Sequence, residues 1–239
     1  KKTSIEFSEK EGYKYFSNID SLLDSVDAID IVSPTTTHYE IAKHVISKSK
    51  HVFIEKPITN KTIHAKEIIE LSKKNNIIGQ VGHVERFNPA YVAAIAHLNN
   101  PKFIESHRLS DFNPRGNDVS VIMDLMIHDI DIVLNTVKSK VKLINASGVS
   151  IISDSPDIAN ARIEFENKCV ANLTASRISL KKMRKTRIFQ KDAYISIDFL
   201  EKELQIVKIK DADQSNSNLS MVIKTNSGKD KVIYFENPE

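Results

Sequence analysis

Two short β-branched runs, each closed by a proline turn, constrain the fold more than any other feature of the chain. They are Asp30-Ile31-Val32-Ser33-Pro34-Thr35-Thr36-Thr37-His38 and His51-Val52-Phe53-Ile54-Glu55-Lys56-Pro57. Each is apolar through its middle and is followed by a helical pattern, as parallel strands buried on both faces are. In a doubly wound sheet, ligands lie beyond the carboxyl ends of the strands. Residues 33–36 and 55–57 therefore fall where a ligand would sit.

The first part of the chain continues this alternation. Strands are expected at 27–33, 51–55 and 77–82. Helices are expected at 38–49, with Ile41, Ala42, Val45 and Ile46 on one face, and at 59–74, with Thr59 or Asn60 as N-cap. From about residue 101 strands follow one another instead: 102–109, 142–152, 158–164, 169–176, 186–190, 193–197 and 203–209, interrupted by one helix over 121–137. Glu166-Asn167-Lys168 and Gln190-Lys191-Asp192 read as hairpin turns. The fold class is thus α/β: a partial Rossmann doubly wound parallel sheet, then an α+β domain with an open, mainly antiparallel sheet. The domains are placed at 1–87 and 88–239, with a connecting helix opening at Asn88-Pro89 and a polar loop at 211–218.

Composition narrows the function classes. Of 239 residues 41% are hydrophobic, enough for a core, and the net charge of +3 makes neither nucleic acid nor a membrane surface an expected partner. No apolar run reaches membrane-spanning length. Cys169 is the only cysteine, so no intramolecular disulfide can form, and a cytoplasmic location is expected.

The Glu55-Lys56-Pro57 strand end has company: Thr35-x-x-His38 before it, Gly82-His83-Val84-Glu85-Arg86-Phe87-Asn88-Pro89 after it, then Asp124-Leu125-Met126-Ile127-His128-Asp129. Together these resemble the glucose-fructose oxidoreductase and inositol dehydrogenase (Gfo/Idh/MocA) family over nearly the whole chain. The resemblance implies an NAD- or NADP-dependent enzyme that takes hydride from a secondary hydroxyl of a sugar or nucleotide sugar. It implies that Lys56, Asp124 and His128 surround the reacting carbon. None of the six glycines forms Gly-x-Gly-x-x-Gly. By the family pattern the first strand, the phosphate-binding loop and the second strand should precede Lys1, and a closing helix should follow Glu239. The choice between NAD and NADP belongs to that preceding segment.

The residue chemistry agrees with this implication. Removing hydride from an alcohol carbon needs a base for the hydroxyl proton. A lysine beside oxidised nicotinamide has its ammonium form disfavoured. Asp124 and His128, four apart in an expected helix, share a face, and an imidazole trades protons near neutrality. Whether Lys56 or His128 is the base stays open. A metal at His128, Asp129 and Asp131 is disfavoured, because a helix sends these side chains in different directions; Asp129 and Asp131 are expected to pair or cap.

Ser33, Pro34, Thr35, Thr36, His38, Glu55, Lys56, Pro57 and Arg86 are the expected cofactor contacts. The expected substrate contacts are Lys56, Asn88, Arg108, Arg115, Asp124, His128 and Arg177. Arg108, Arg115, Gly116 and Arg177, with the basic run Lys181, Lys182, Arg184, Lys185 and Arg187, point to an anionic group such as a diphosphate. The combination of Glu85-Arg86-Phe87-Asn88-Pro89, Asp124-Leu125-Met126-Ile127-His128-Asp129 and Ser176-Arg177-Ile178-Ser179 resembles the branch that oxidises C3 of UDP-N-acetylglucosamine. Two other readings stay open: an NAD-dependent glycosidase that oxidises C3 transiently, and a non-catalytic sensor on the same scaffold. Apolar residues on both faces of strands near 158–163 and 170–173 predict a homodimer or homotetramer formed face to face.

Overall fold

The computed structural model describes residues 2–112, 119–211, 221–223 and 231–236. Two compact units divide the chain, Lys1–Gly82 and His83–Glu239. The sequence had suggested a division near residue 87; the 84–87 turn belongs with the second unit.

The first unit holds α1 (Lys2–Glu11), α2 (Ile19–Leu23), β1 (Ala28–Ile31), α3 (Thr35–Ser47), β2 (His51–Glu55), α4 (Thr62–Lys74) and β3 (Gly79–Gly82). The strands lie in the order β1-β2-β3, all parallel, with Ile31 opposite Ile54 and Glu55 opposite Gly82. Ala42, Val45 and Ile46 of α3 and Ile68 of α4 pack with Ile31, Val52 and Ile54. Burying each of these large side chains contributes about 1.5–3 kcal/mol. Neither Thr59 nor Asn60 caps α4. The cap residue is Lys61, and the Thr59 hydroxyl donates instead to the Lys61 carbonyl at 2.7 Å.

The second unit opens with a 3-10 turn (Val84–Phe87) and α5 (Pro89–Ile95), whose N-cap Asn88 accepts from the Ala90 N–H. Then come β4 (Phe103–Leu109), a π-helical turn (Ile122–Met126), α6 (Ile127–Val137), β5 (Val141–Val149), β6 (Ile158–Phe165), β7 (Val170–Ser176), β8 (Met183–Phe189), β9 (Ala193–Asp198), β10 (Glu203–Asp211), β11 (Met221–Ile223) and β12 (Lys231–Glu236). Asp211 thus ends a strand rather than opening a loop; residues 212–218 lie outside the described residues, as do Arg115 and Gly116. The sheet order is β11-β12-β10-β9-β8-β4-β7-β6-β5, antiparallel except for the parallel β4–β7 pair. Both expected hairpins form, joining β6 to β7 and β8 to β9.

One face of this sheet builds a core with α5 and α6 around Tyr91, Ile104, Ile132, Val133, Phe165, Leu173 and Ile195. The opposite face is not the apolar surface expected. Along β6, Ala159, Ala161, Ile163 and Phe165 are buried, whereas Asn160 and Arg162 are exposed. Asn160 donates to Thr174 Oγ1 at 2.9 Å, and Arg187 to Glu105 at 2.8 Å. The alternation is a half-solvated sheet, with Phe103, Phe189 and Tyr194 its aromatic patch. Among the described residues no helix is long and apolar enough to cross a membrane.

Candidate functional site

The candidate region in the first unit is the carboxyl end of the parallel sheet. His38, 1% exposed near the start of α3, faces two backbone carbonyls: Ser33 O at 2.8 Å from Nε2 and Pro57 O at 2.9 Å from Nδ1. One imidazole thus fastens the end of β1 to the turn after β2. Ser33 Oγ meets Thr37 Oγ1 at 2.7 Å, and that hydroxyl donates to the Pro34 carbonyl at 2.7 Å. Thr37 therefore stiffens the turn before α3, as a threonine three residues after a proline can.

Beside this clamp, Glu55 folds back so that Oε2 accepts from the Lys56 N–H at 3.2 Å. Gly82 makes room for it: a Cβ there would lie 3.0 Å from Glu55 Oε1. The Lys56–Pro57 peptide is cis. Ser33 and Lys56 are half-buried and Pro34 and Thr36 exposed, so these four line an accessible polar rim. His38, Thr35 and Pro57 are buried and shape the rim from behind. That corrects the expectation for His38, whose ring nitrogens are both taken up by backbone.

The candidate region in the second unit is the start of α6. The expected continuous helix over 121–137 begins instead with a wide turn holding Asp124, in which the Ile127 N–H reaches back to Ile122 O. Wide turns of this kind are rare and cluster at functional sites. Asp124 and His128 remain one turn apart, both half-buried.

Three expected ligand contacts turn inward here. Arg108, 2% exposed, donates Nε and Nη2 to Asp129 at 2.9 and 3.2 Å and Nη1 to Glu85 at 2.9 Å. Burial works against its charge, but the two carboxylates outweigh this and raise its pKa. Arg177, 4% exposed, donates to Asp157 at 2.9 Å, to Val119 O at 3.0 Å and to Ser155 Oγ at 2.8 Å. Both arginines are interior ties and neither presents a free fork to a diphosphate, which corrects that expectation. Asn88 spends its side chain on Ala90 N, Glu85 and Phe199 O. Arg86, exposed, forks onto Asp131 at 2.7 and 2.5 Å.

Charge on a sequence does not reveal burial, and Glu85, the carboxylate shared beneath this cluster, carried no signal of its own. Of the basic run, Arg184 stays half-exposed, its Nη1 3.9 Å from Glu85 Oε1. Among the described residues no three His, Cys, Asp or Glu side chains gather as metal ligands.

A family model described as an oxidoreductase family with an NAD-binding Rossmann fold matches residues 1–83, and a GFO/IDH/MocA C-terminal domain model matches residues 75–196. The UDP-N-acetylglucosamine 3-dehydrogenase of Acidithiobacillus ferrooxidans is 39% identical over 193 residues, 80% of this chain and 61% of that protein. One of its crystal structures matches with a TM-score of 0.82 at 37% identity, covering 86% of this chain and 68% of that one. The scyllo-inositol 2-dehydrogenase (NAD(+)) of Bacillus subtilis is 28% identical over 171 residues, 64% of this chain and 49% of that protein. A levoglucosan dehydrogenase in complex with NADH and levoglucosan shares the fold, with a TM-score of 0.80 at 21% identity over 89% of this chain and 66% of that one. The chain spans between about half and three fifths of the length of these two curated relatives.

Proposed function

The chain belongs to the Gfo/Idh/MocA family of NAD-binding oxidoreductases, and from that premise we propose that its protein oxidises a secondary hydroxyl of a nucleotide sugar, C3 of UDP-N-acetylglucosamine being the leading substrate. The observation that carries this reading is Asp124 and His128 one turn apart at the start of α6, in a chain whose β2 is followed directly by Lys56. Bound NAD or NADP would supply the hydride acceptor. Ser33, Pro34, Thr36 and Lys56 fit such a cofactor, being polar or small and accessible at the ends of parallel strands.

In this reading Lys56 and His128 hold and move the hydroxyl proton, and Asp124 orients the imidazole or a neighbouring sugar hydroxyl. Arg184 takes the diphosphate, since it is the arginine near Glu85 that keeps an exposed fork. The protein assembles as a homodimer or homotetramer in the cytoplasm; light scattering at micromolar protein would read the mass, and a monomer would refute the assembly.

The test of function is NADH appearance with the full-length protein on UDP-N-acetylglucosamine, free sugars and inositols. UDP-N-acetylglucosamine should be preferred, and net NADH separates this reaction from transient oxidation. Lys56→Met should lower kcat by about 10²-fold with little change in NAD affinity. Arg184→Met should raise KM for the UDP-sugar by about tenfold or more, the worth of a charge-assisted hydrogen bond, and leave an uncharged sugar unaffected. Preference for an uncharged sugar would return the function to an unspecified sugar dehydrogenase.

A further inference from the structure

We propose that Arg108 is a positioning residue for His128, acting through Asp129; this rests on the role given above to His128. His128 and Asp129 are successive residues of α6, so the backbone that carries the imidazole is the backbone that Asp129 anchors. Asp129 is 2% exposed and is gripped by two nitrogens of Arg108, whose third nitrogen reaches Glu85 on the 3-10 turn. Two residues on, Asp131 is gripped by Nε and Nη2 of Arg86, from the same turn, with His83 Nδ1 3.8 Å away. Successive aspartates two apart point to different sides of a helix. The pair of forks therefore fixes both the rotation and the height of the first turn of α6.

The need for such a fixture lies in the preceding wide turn. A helix that changes from π to α spacing between Met126 and Ile127 has no single internal register, so its own hydrogen bonds leave the direction of the next side chain less determined. A bidentate arginine–carboxylate pair supplies direction as well as attraction. Replacing buried ion pairs by apolar groups is often neutral for stability, so stability alone gives no reason for three buried charges here. Orientation of the neighbouring imidazole does. The charged groups of this network are Glu85, Arg86, Arg108 and Arg184, with Asp129 and Asp131 on the helix.

The test uses the full-length protein and Asp129→Asn, which keeps an oxygen acceptor for Arg108 but weakens the fork, with Arg108→Lys as the charge-conserving companion. Asp129→Asn should lower kcat about tenfold with KM for NAD and for UDP-N-acetylglucosamine changed less than about twofold, and Arg108→Lys should fall between it and wild type. In 1H–15N spectra the imidazole signals of His128, assigned by their loss in His128→Gln, should move in Asp129→Asn while those of His44 and His51 stay in place. Unmoved His128 signals, or kcat and KM changing together in proportion to folded protein, would overturn the proposal. A wild type inactive on every sugar would instead sink the functional reading, and the spectra would still decide whether Arg108 and Asp129 set the ring.

Discussion

The two functional regions are held by different kinds of bond. At the strand ends of the first unit backbone carbonyls are the partners: His38 lies between two of them, Thr37 donates to another, and the charged groups Glu55 and Lys56 are only half-buried. At the start of α6 three charges lie in the interior and hold one another. The difference teaches where each region is vulnerable. Breaking one hydrogen bond to a carbonyl costs a desolvated group, about 1–3 kcal/mol, whereas removing one partner of a buried ion pair strands a charge.

The strongest test of that contrast is Arg108→Met. It leaves Asp129 and Glu85 facing an apolar side chain, and denaturant melts should show a loss of about 3–5 kcal/mol in the second unit. A loss below about 1 kcal/mol would erase the distinction. His38→Phe fills the same space without either nitrogen and removes the hydrogen bond that the imidazole donates at the strand end; about 1–3 kcal/mol should go from the first unit, less than for Arg108.

Acid sharpens the comparison further. The Asp157 carboxylate is held well below its usual pKa, first by the Ser153 N–H and then by those of Ile152 and Ile151, which outweigh its burial. A carboxylate with a lowered folded-state pKa contributes stability above its unfolded value of about 3.9 and loses it as pH falls through the folded value. Asp157→Asn should therefore melt below wild type at pH 7, with the gap narrowing steadily below about pH 4. A gap independent of pH would assign the effect to packing. The smallest effect is expected at Lys138, which ends α6 with φ of 50°. Lys138→Gly should raise stability by less than about 1 kcal/mol, relief of left-handed strain being partly offset by glycine's entropy.

The sequence disclosed the elements better than their partners. β2 lies where its short β-branched run predicts, and the hairpin turns at 166–168 and 190–192 are written in polar residues between apolar strands. Asp124 and His128 keep their four-residue spacing across the change from π to α turn. The roles of Arg108 and Arg177 were not legible, since a basic residue in an alternating strand can face water or core, and what decides is an aspartate 21 or 20 residues away. The start of β8 at Met183 was missed for the same reason: Lys185 looks like part of a solvated loop until Asp198 stands opposite. Nor does a meander announce that β4 will pair in parallel with β7.

That parallel pair has a consequence for biosynthesis. β7 and β8 are consecutive in the chain, yet β4, made long before either, lies between them in the sheet. The ribosome therefore delivers the central strand first and both of its neighbours late, so the strand keeps two open hydrogen-bonding edges while α6, β5 and β6 emerge. Pairing across such long intervals slows folding and exposes edges to other nascent chains. Chaperone demand and yield in expression should thus follow how quickly residues 170–189 arrive to close β4 on both sides.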